Sequence, residues 1–108
     1  MPGYRVVIGP LAEEELSELR AFDHRAIRDA IAVHLTEKPL SPSKLRKRLT
    51  PPPSALLPEL ESLFDGPLPE AWQLRVGAWR IVYVVLGATT YVLRVVRKGR
   101  RTTDHALS

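Results

Sequence analysis

The sequence predicts an α+β domain in which two helices cover one face of an antiparallel sheet. Three observations predict this class: a short β-branched segment comes first, two segments with helical spacing of apolar residues follow it, and three alternating or apolar segments occupy the last third. Strands and helices grouped along the chain in this way are typical of α+β folds. The length of 108 residues suits one domain, residues 1–108, with a proline-rich insertion at about 50–70.

The N-terminal segments predict a strand followed by a helical hairpin. Residues 4–8 alternate in polarity and end at a Gly-Pro pair, which predicts the first strand. Pro10 suits the first position of a helix, and apolar residues at helical spacing extend that helix over 10–20. Asp23 is the predicted N-cap of a second helix, which ends before Pro39. The short link between the two helices predicts that they pack as an antiparallel pair.

A long connection and a three-stranded meander complete the predicted fold. Residues 39–69 hold eight of the ten prolines, and a short helix is expected near 55–64. Alternating or apolar segments then predict three antiparallel strands. The predicted strands are 72–76, 79–86 and 90–96. The Gly77-Ala78 link between the first two has the pattern of a type II′ hairpin turn.

Charge is distributed unevenly along the chain, and its distribution predicts an anionic partner. The formal net charge is +4, and residues 72–103 contain seven lysines or arginines and no acid. Such a segment favours nucleic acid or an acidic protein segment. No apolar stretch reaches the roughly 18–20 residues of a membrane-spanning helix, so we expect a cytoplasmic protein without a membrane partner. The chain has no cysteine and its three histidines are scattered, so neither a metal nor a cofactor is expected.

Two arginines of the predicted meander should lie side by side. If Gly77-Ala78 is a two-residue turn, Arg75 lies opposite Arg80, and both point away from the face with the apolar side chains. Like charges directly opposite each other destabilise a sheet unless both reach water or an anion lies between them. The pair is therefore a candidate anion site. A two-residue turn before the last strand places Arg97 on the face of Arg80 and Arg94 on the face of Trp79. A turn one residue longer places Arg94 on the face of Arg80 instead, and the sequence leaves both registers open.

The central hairpin and the segment after it resemble the RelE/ParE toxins of bacterial toxin–antitoxin systems. Residues 72–83, WQLRVGAWRIVY, are similar to the family signature W-x-L-R-V-G-x-[YW]-R-[IV]-x-Y. Residues 91–103, YVLRVVRKGRRTT, resemble the last strand and basic tail of the family. The first strand, the helical hairpin and residues 45–49 also follow in family order. The resemblance therefore covers nearly the whole chain apart from the insertion.

The resemblance implies a metal-independent endoribonuclease that cuts mRNA in the ribosomal A site. In RelE-like members a ribose 2′-hydroxyl attacks the adjacent phosphate, and this reaction needs an acid, a base and cations. By resemblance Arg80 contacts the reacting phosphate, Arg101 (or its neighbour Arg100) is the arginine of the tail, and His105 is the acid or base. Further phosphate or RNA contacts are expected from basic residues on or beside the sheet: Arg75, Arg94, Arg97, Lys98, Arg100, Lys44, Arg46, Lys47 and Arg48.

The same resemblance leaves two alternatives to a nuclease. RelE itself carries lysines on the strand where this chain has Ala71, Trp72 and Gln73, so the lysine-based acid–base chemistry of that member is missing here. ParE-like members share the fold and poison DNA gyrase without catalysis. A degenerate toxin would only bind its antitoxin and co-repress its operon. All three readings imply a cognate antitoxin, whose acidic or amphipathic segment covers the basic sheet face and through which operator DNA is bound.

Overall fold

The computed structural model describes residues 3–49 and 70–98, which form two helices and five strands. In chain order they are β1 (Arg5–Ile8), α1 (Pro10–Ser17), α2 (Ala21–His34), β2 (Arg46–Leu49), β3 (Ala71–Val76), β4 (Trp79–Leu86) and β5 (Thr89–Arg97). The helix expected near 55–64, with most of the proline-rich insertion, lies outside the described residues. Within the described part, no helix combines the length and apolar character that crossing a membrane requires.

The five strands make one mixed sheet in the order β1-β5-β4-β3-β2. Strands β3, β4 and β5 pair antiparallel in sequence order, so the predicted meander is confirmed. At one edge β1 lies parallel to β5, and at the other edge β2 lies antiparallel to β3. The predicted α+β class is therefore confirmed. The sheet is mixed rather than wholly antiparallel, because β1 pairs parallel with β5.

Strand β2 is an element that the sequence pattern did not predict. Its residues, RKRL, are mostly charged and show no alternation of apolar side chains. Its extended conformation comes from pairing with β3, where Arg46 lies opposite Leu74 and Leu49 lies opposite Ala71. Tertiary pairing here overrides a weak local preference, as is common for strands.

Both helices differ from the prediction at their ends. Helix α1 ends at Ser17 rather than at residue 20. Helix α2 begins at Ala21 with Arg20 as its N-cap, so the prediction of Asp23 as the N-cap was wrong. Asp23 lies in the first turn, and its Oδ2 is 3.6 Å from Nε of Arg20. An acid is favourable at either position because the N-terminal end of a helix carries positive partial charge.

The main core lies between the helices and one face of the sheet, which we call the helix face. Helix α1 packs on β5, and α2 packs on β3. The largest fully buried side chains of this core are Leu16, Ile27, Leu35, Leu74, Ile81 and Tyr83. The opposite face, which we call the distal face, has a smaller buried cluster of its own. That cluster consists of Ala71, Val82, Val84, Leu93 and Val96.

The turn between β3 and β4 has the predicted geometry. Val76 lies opposite Trp79, so Gly77 and Ala78 form a two-residue turn. Gly77 has a φ of +57°, and no described residue other than glycine has a positive φ. A type II′ turn needs a positive φ at its first central residue only, which agrees with the pattern of a glycine followed by an alanine.

A β-bulge in β5 decides which face the last arginines occupy. The turn between β4 and β5 is also two residues long, but the pairing shifts by one residue at Leu93. Beyond the bulge, Arg97 lies opposite Trp79. Of the two arrangements that the sequence left open, the observed one has Arg97 on the face of Trp79, although the turn is two residues long. One extra residue in a strand exchanges the faces of every side chain that follows it.

Candidate anion-binding site

The distal face carries a group of basic and amide side chains near the β3–β4 turn. Arg75 of β3 pairs directly with Arg80 of β4, as the turn predicted. Gln73 lies two residues before Arg75 and so shares its face, and it pairs with Lys47 of β2. We call Lys47, Gln73, Arg75 and Arg80 the cationic patch. Three neighbouring strands thus bring three cations and one amide to one surface.

Arg80 is held by the turn that precedes it. Only 6% of its surface is exposed, and its Nη1 donates to the carbonyl oxygens of Gly77 and Trp79, each at 3.0 Å. Both acceptors are neutral, and among the described residues no carboxylate pairs with this guanidinium. Burial, and after it the charge of Arg75, lower the pKa of Arg80. Since arginine still stays protonated at neutral pH, a partly desolvated and uncompensated charge remains, and it favours a bound anion.

Arg75 and Lys47 present exposed charges beside Arg80. The backbone N–H of Arg75 donates to the carbonyl oxygen of Leu45 at 2.7 Å, which extends the pairing with β3 to the residue before β2 begins. Neither side chain belongs to an ion pair within the described part of the chain. Guanidinium groups bind phosphate oxygens bidentately, so this arrangement suits a phosphate group above the two arginines.

Gln73 is the member of the patch that the sequence analysis did not place among the site residues. Its side chain is 9% exposed, between Lys47 on β2 and Val82 on β4. An amide offers two donors and an acceptor, so it can bind a phosphate or a ribose hydroxyl, but it does not take up or release a proton near neutral pH. The signal that would have found it is alternation, because residues two apart on a strand share a face.

Arg46 was predicted as a phosphate or RNA contact, and the structure gives it another role. Its Nη1 lies 2.7 Å from Nδ1 of His34, and its Nε donates to the carbonyl oxygen of Ser41 at 2.9 Å. The residue is 9% exposed and lies on the helix face, because it pairs with Leu74. Burial, and after it the charge of Arg46, lower the pKa of His34. Arg46 thus fastens β2 to α2 and does not reach the cationic patch.

Arg94 and Arg48 are likewise engaged by carboxylates of the chain. Arg94 donates from Nε and Nη2 to Oε2 of Glu15 at 3.0 and 2.7 Å, and both side chains are 19% exposed. The other oxygen of Glu15 accepts the backbone N–H of Val95 at 2.7 Å. Arg48 pairs with Glu70 at 3.0 Å in a more exposed position. An anionic ligand would have to displace a carboxylate from either arginine.

The remaining predicted contacts fall into two groups. Arg97, Lys98 and Lys44 are exposed, and the Cζ of Arg97 lies over the ring of Trp79, 5.6 Å from its centroid. The predicted tail residues lie outside the described residues; these are Arg100, Arg101 and His105. Within residues 3–49 and 70–98, no three histidine or acidic side chains are grouped so as to hold a metal ion.

Comparison with known proteins gives likeness in structure and none in sequence. No protein-family model matches the chain, and no curated protein matches it. The crystal structure of the archaeal RelE–RelB complex from Pyrococcus horikoshii contains a similar chain, with a TM-score of 0.65 at 19% identity, over 94% of this chain and 100% of that one. This chain has the RelE fold. The crystal structure of the RelBE2 toxin–antitoxin complex from Mycobacterium tuberculosis also contains the RelE fold, with a TM-score of 0.59 at 20% identity.

The similarity to the Mycobacterium tuberculosis structure covers 88% of this chain and 98% of that one. The fold that the sequence resemblance implied is therefore confirmed. The Pyrococcus horikoshii chain was solved in a complex with RelB, and the Mycobacterium tuberculosis chain in a toxin–antitoxin complex.

Proposed function

We propose that this chain is the toxin component of a type II toxin–antitoxin system and that its partner is a RelB-like antitoxin. Support comes from the RelE fold, which both similar proteins use in complexes with an antitoxin. Further support comes from the cationic patch, which an acidic segment of an antitoxin would neutralise. An antitoxin that binds DNA would also bring the pair to its operator.

We propose further that the chain is a metal-independent, ribosome-dependent mRNA endoribonuclease. The observation that carries this proposal is the Arg75/Arg80 pair, in which a buried guanidinium lies beside an exposed one. When a ribose 2′-hydroxyl attacks the adjacent phosphorus, the bond to the 5′-oxygen breaks, and negative charge grows on the phosphoryl oxygens. Fixed cations at that position stabilise the transition state more than the ground state.

The proton transfers of this reaction are assigned to the tail in our proposal. The base must take the proton of the 2′-hydroxyl, and the acid must give one to the leaving 5′-oxygen. The cationic patch supplies positive charge and one amide, so the acid and the base must come from elsewhere in the chain. His105 is the proposed acid or base and Arg101 the proposed third cation, and both lie outside the described residues.

One specific observation favours a second candidate function, a ParE-like poison of DNA gyrase that has no catalytic residues. Gln73 occupies the position beside Arg75 and Lys47 where an acid–base side chain would be expected in a nuclease. An amide there is compatible with binding alone. A toxin that has lost activity and only co-represses with its antitoxin fits the same observation.

The test is controlled expression without the antitoxin, followed by mapping of mRNA 5′ ends and by an assay for gyrase–DNA adducts. A nuclease gives new 5′ ends within translated codons, and these decrease in Arg80→Ala and His105→Ala but persist in Arg25→Ala, which removes an exposed arginine of α2. Gyrase adducts without new 5′ ends would replace the nuclease proposal with the gyrase one. Normal growth with neither signal would leave only the binding of an antitoxin.

A further inference from the structure

We propose that Arg97 and Trp79 form a stacking platform for an unpaired nucleobase, on the opposite face of the sheet from the Arg75/Arg80 pair. This inference rests on the proposed action on RNA. It adds to that function a second contact, which recognises a base rather than a phosphate.

The platform consists of a planar cation lying on an aromatic ring. Arg97 pairs with Trp79 across β4 and β5, and its Cζ is 5.6 Å from the ring centroid. Arg97 is exposed while Trp79 is half-buried, so the guanidinium lies over the indole and stays accessible from solvent. Unpaired bases stack on arginine planes as well as on aromatic rings, and a cation already stacked on tryptophan has lost much of its rotamer freedom.

Arg97 has no carboxylate partner within the described part of the chain. Carboxylates pair with Arg20, Arg28, Arg48 and Arg94. Arg46 and Arg80 are bonded to neutral acceptors. Among the described residues, the indole is the contact recorded for the guanidinium of Arg97. Its charge is therefore available to a polyanion, whose phosphates would lie beside the stacked base.

The bulge at Leu93 is what brings this arginine onto the indole. Without the extra residue, alternation would place Arg97 on the distal face with Arg80, and a shorter side chain, Val96, would take the place opposite Trp79. Bulges commonly redirect a side chain at a binding site. The sheet thus has cations on both faces of this end of the hairpin.

The end of this hairpin is narrow enough for one nucleic-acid strand to contact both faces. Its turn contains only Gly77 and Ala78, and a Cβ added at Gly77 would meet no atom within 4 Å. The backbone N–H of Lys98 donates to the carbonyl oxygen of Ala78 at 2.7 Å, so a further exposed cation lies beside the turn. A strand crossing the turn can place a phosphate at Arg75 and a base on Arg97.

The test measures binding of labelled single-stranded RNA and of an oligomer of equal length and charge whose central residues are abasic. The wild-type chain is expected to bind the base-containing RNA about fivefold more tightly, the lower end of what one stacked base contributes. Arg97→Lys keeps the positive charge but removes the planar guanidinium. It should therefore abolish the preference for base-containing over abasic RNA without changing the salt dependence of binding. Arg25→Lys, the same exchange on α2, should leave both unchanged.

A second variant protects the test against misfolding. Because Trp79 packs partly against the main core, a thermal melt of Trp79→Leu checks that this variant is folded. Trp79→Phe keeps an aromatic ring at the same position. Trp79→Phe should keep most of the preference, and Trp79→Leu should lose it while the chain remains folded.

Equal affinity of the wild type for the two oligomers would overturn the platform. If Arg75→Ala still weakened binding in that case, the phosphate site and the proposed function would survive without it. If neither oligomer bound at low salt, the platform would be overturned, and the mapping of mRNA 5′ ends would still decide the proposed function separately.

Discussion

Glu15 of α1 holds Arg94 and the backbone of the next residue in β5 at the same time. One carboxylate oxygen accepts from Nε and Nη2 of Arg94, and the other accepts the N–H of Val95 at 2.7 Å. Strand β1 covers the edge of β5 only as far as Val92, so this N–H belongs to the part of the edge that β1 leaves unpaired. The side chain of Glu15 thus accepts a backbone hydrogen bond from a part of β5 that β1 does not reach.

We predict that Glu15→Gln lowers the free energy of unfolding by about 2 kcal/mol, because it leaves a largely buried guanidinium without its counter-charge. Urea unfolding at pH 7 measures the change. Glu14→Gln is the matched control, since Glu14 is an exposed neighbour whose carboxylate belongs to no ion pair among the described residues. Equal stability of the two variants would show that the Glu15–Arg94 contact contributes nothing.

Stability should fall with acidification below pH 6.5 because of His34. Its Nδ1 accepts a hydrogen bond from Arg46, which only the neutral ring can do. Burial and the charge of Arg46 lower the pKa of this ring below its unfolded value of 6.5. Because the pKa of His34 is lower in the folded chain, the unfolded chain binds the proton at higher pH than the folded one does. The stabilisation from neutral His34 is therefore fully present above pH 6.5 and is lost as the pH falls towards the folded pKa.

The variant for this prediction is His34→Gln, which retains an acceptor for Arg46 and does not titrate. Its unfolding free energy, measured from pH 7.5 to 5, should decline less steeply than that of the wild type. Parallel pH profiles for the two proteins would mean that protonation of His34 is not coupled to folding.

Arg75→Gln should make the sheet more stable and the anion site weaker. The substitution removes one of two like charges that lie directly opposite each other, a repulsion of about 0.5 kcal/mol in a sheet. The gain in unfolding free energy should shrink at high salt, because exposed charges are screened. Lys47→Gln removes an equal charge opposite the neutral Gln73, so a similar gain in both variants would contradict the repulsion.

Gly77→Ala should cost about 1 kcal/mol of stability through the backbone alone. Gly77 has a φ of +57°, and the added Cβ would meet no atom within 4 Å, so no steric clash contributes. Gly77→Asn should cost less, since asparagine tolerates this conformation better than alanine. Chemical denaturation distinguishes the two, and an alanine variant as stable as the wild type would mean that the turn relaxes to another type.

The sequence was sufficient for those features that local rules determine. A two-residue turn with glycine first fixes the register of β3 against β4, and for that reason the Arg75/Arg80 pair was predicted correctly. The helices were found through apolar spacing, with errors confined to their ends. These inferences needed nothing beyond neighbours in the chain.

The features that were missed depend on contacts between distant parts of the chain. Arg46 and Arg48 belong to a basic run that ordinarily indicates a solvated surface, yet Arg46 is buried because α2 brings His34 to it. The face of Arg97 depends on the bulge at Leu93, for which no residue in β5 gives a signal. Glu15, which binds the strand just beyond that bulge, lies 79 positions from Arg94.

The parallel pairing of β1 with β5 has a consequence for synthesis of the chain. The residues that pair with β1 are Thr89 to Val92, so the first strand emerges from the ribosome long before its partner exists. Until then its apolar side chains and backbone groups have no sheet to join, and contacts so distant in sequence form slowly. During synthesis, β1 is therefore an exposed, aggregation-prone segment. A chaperone or an early-bound partner would shorten the time available for aggregation.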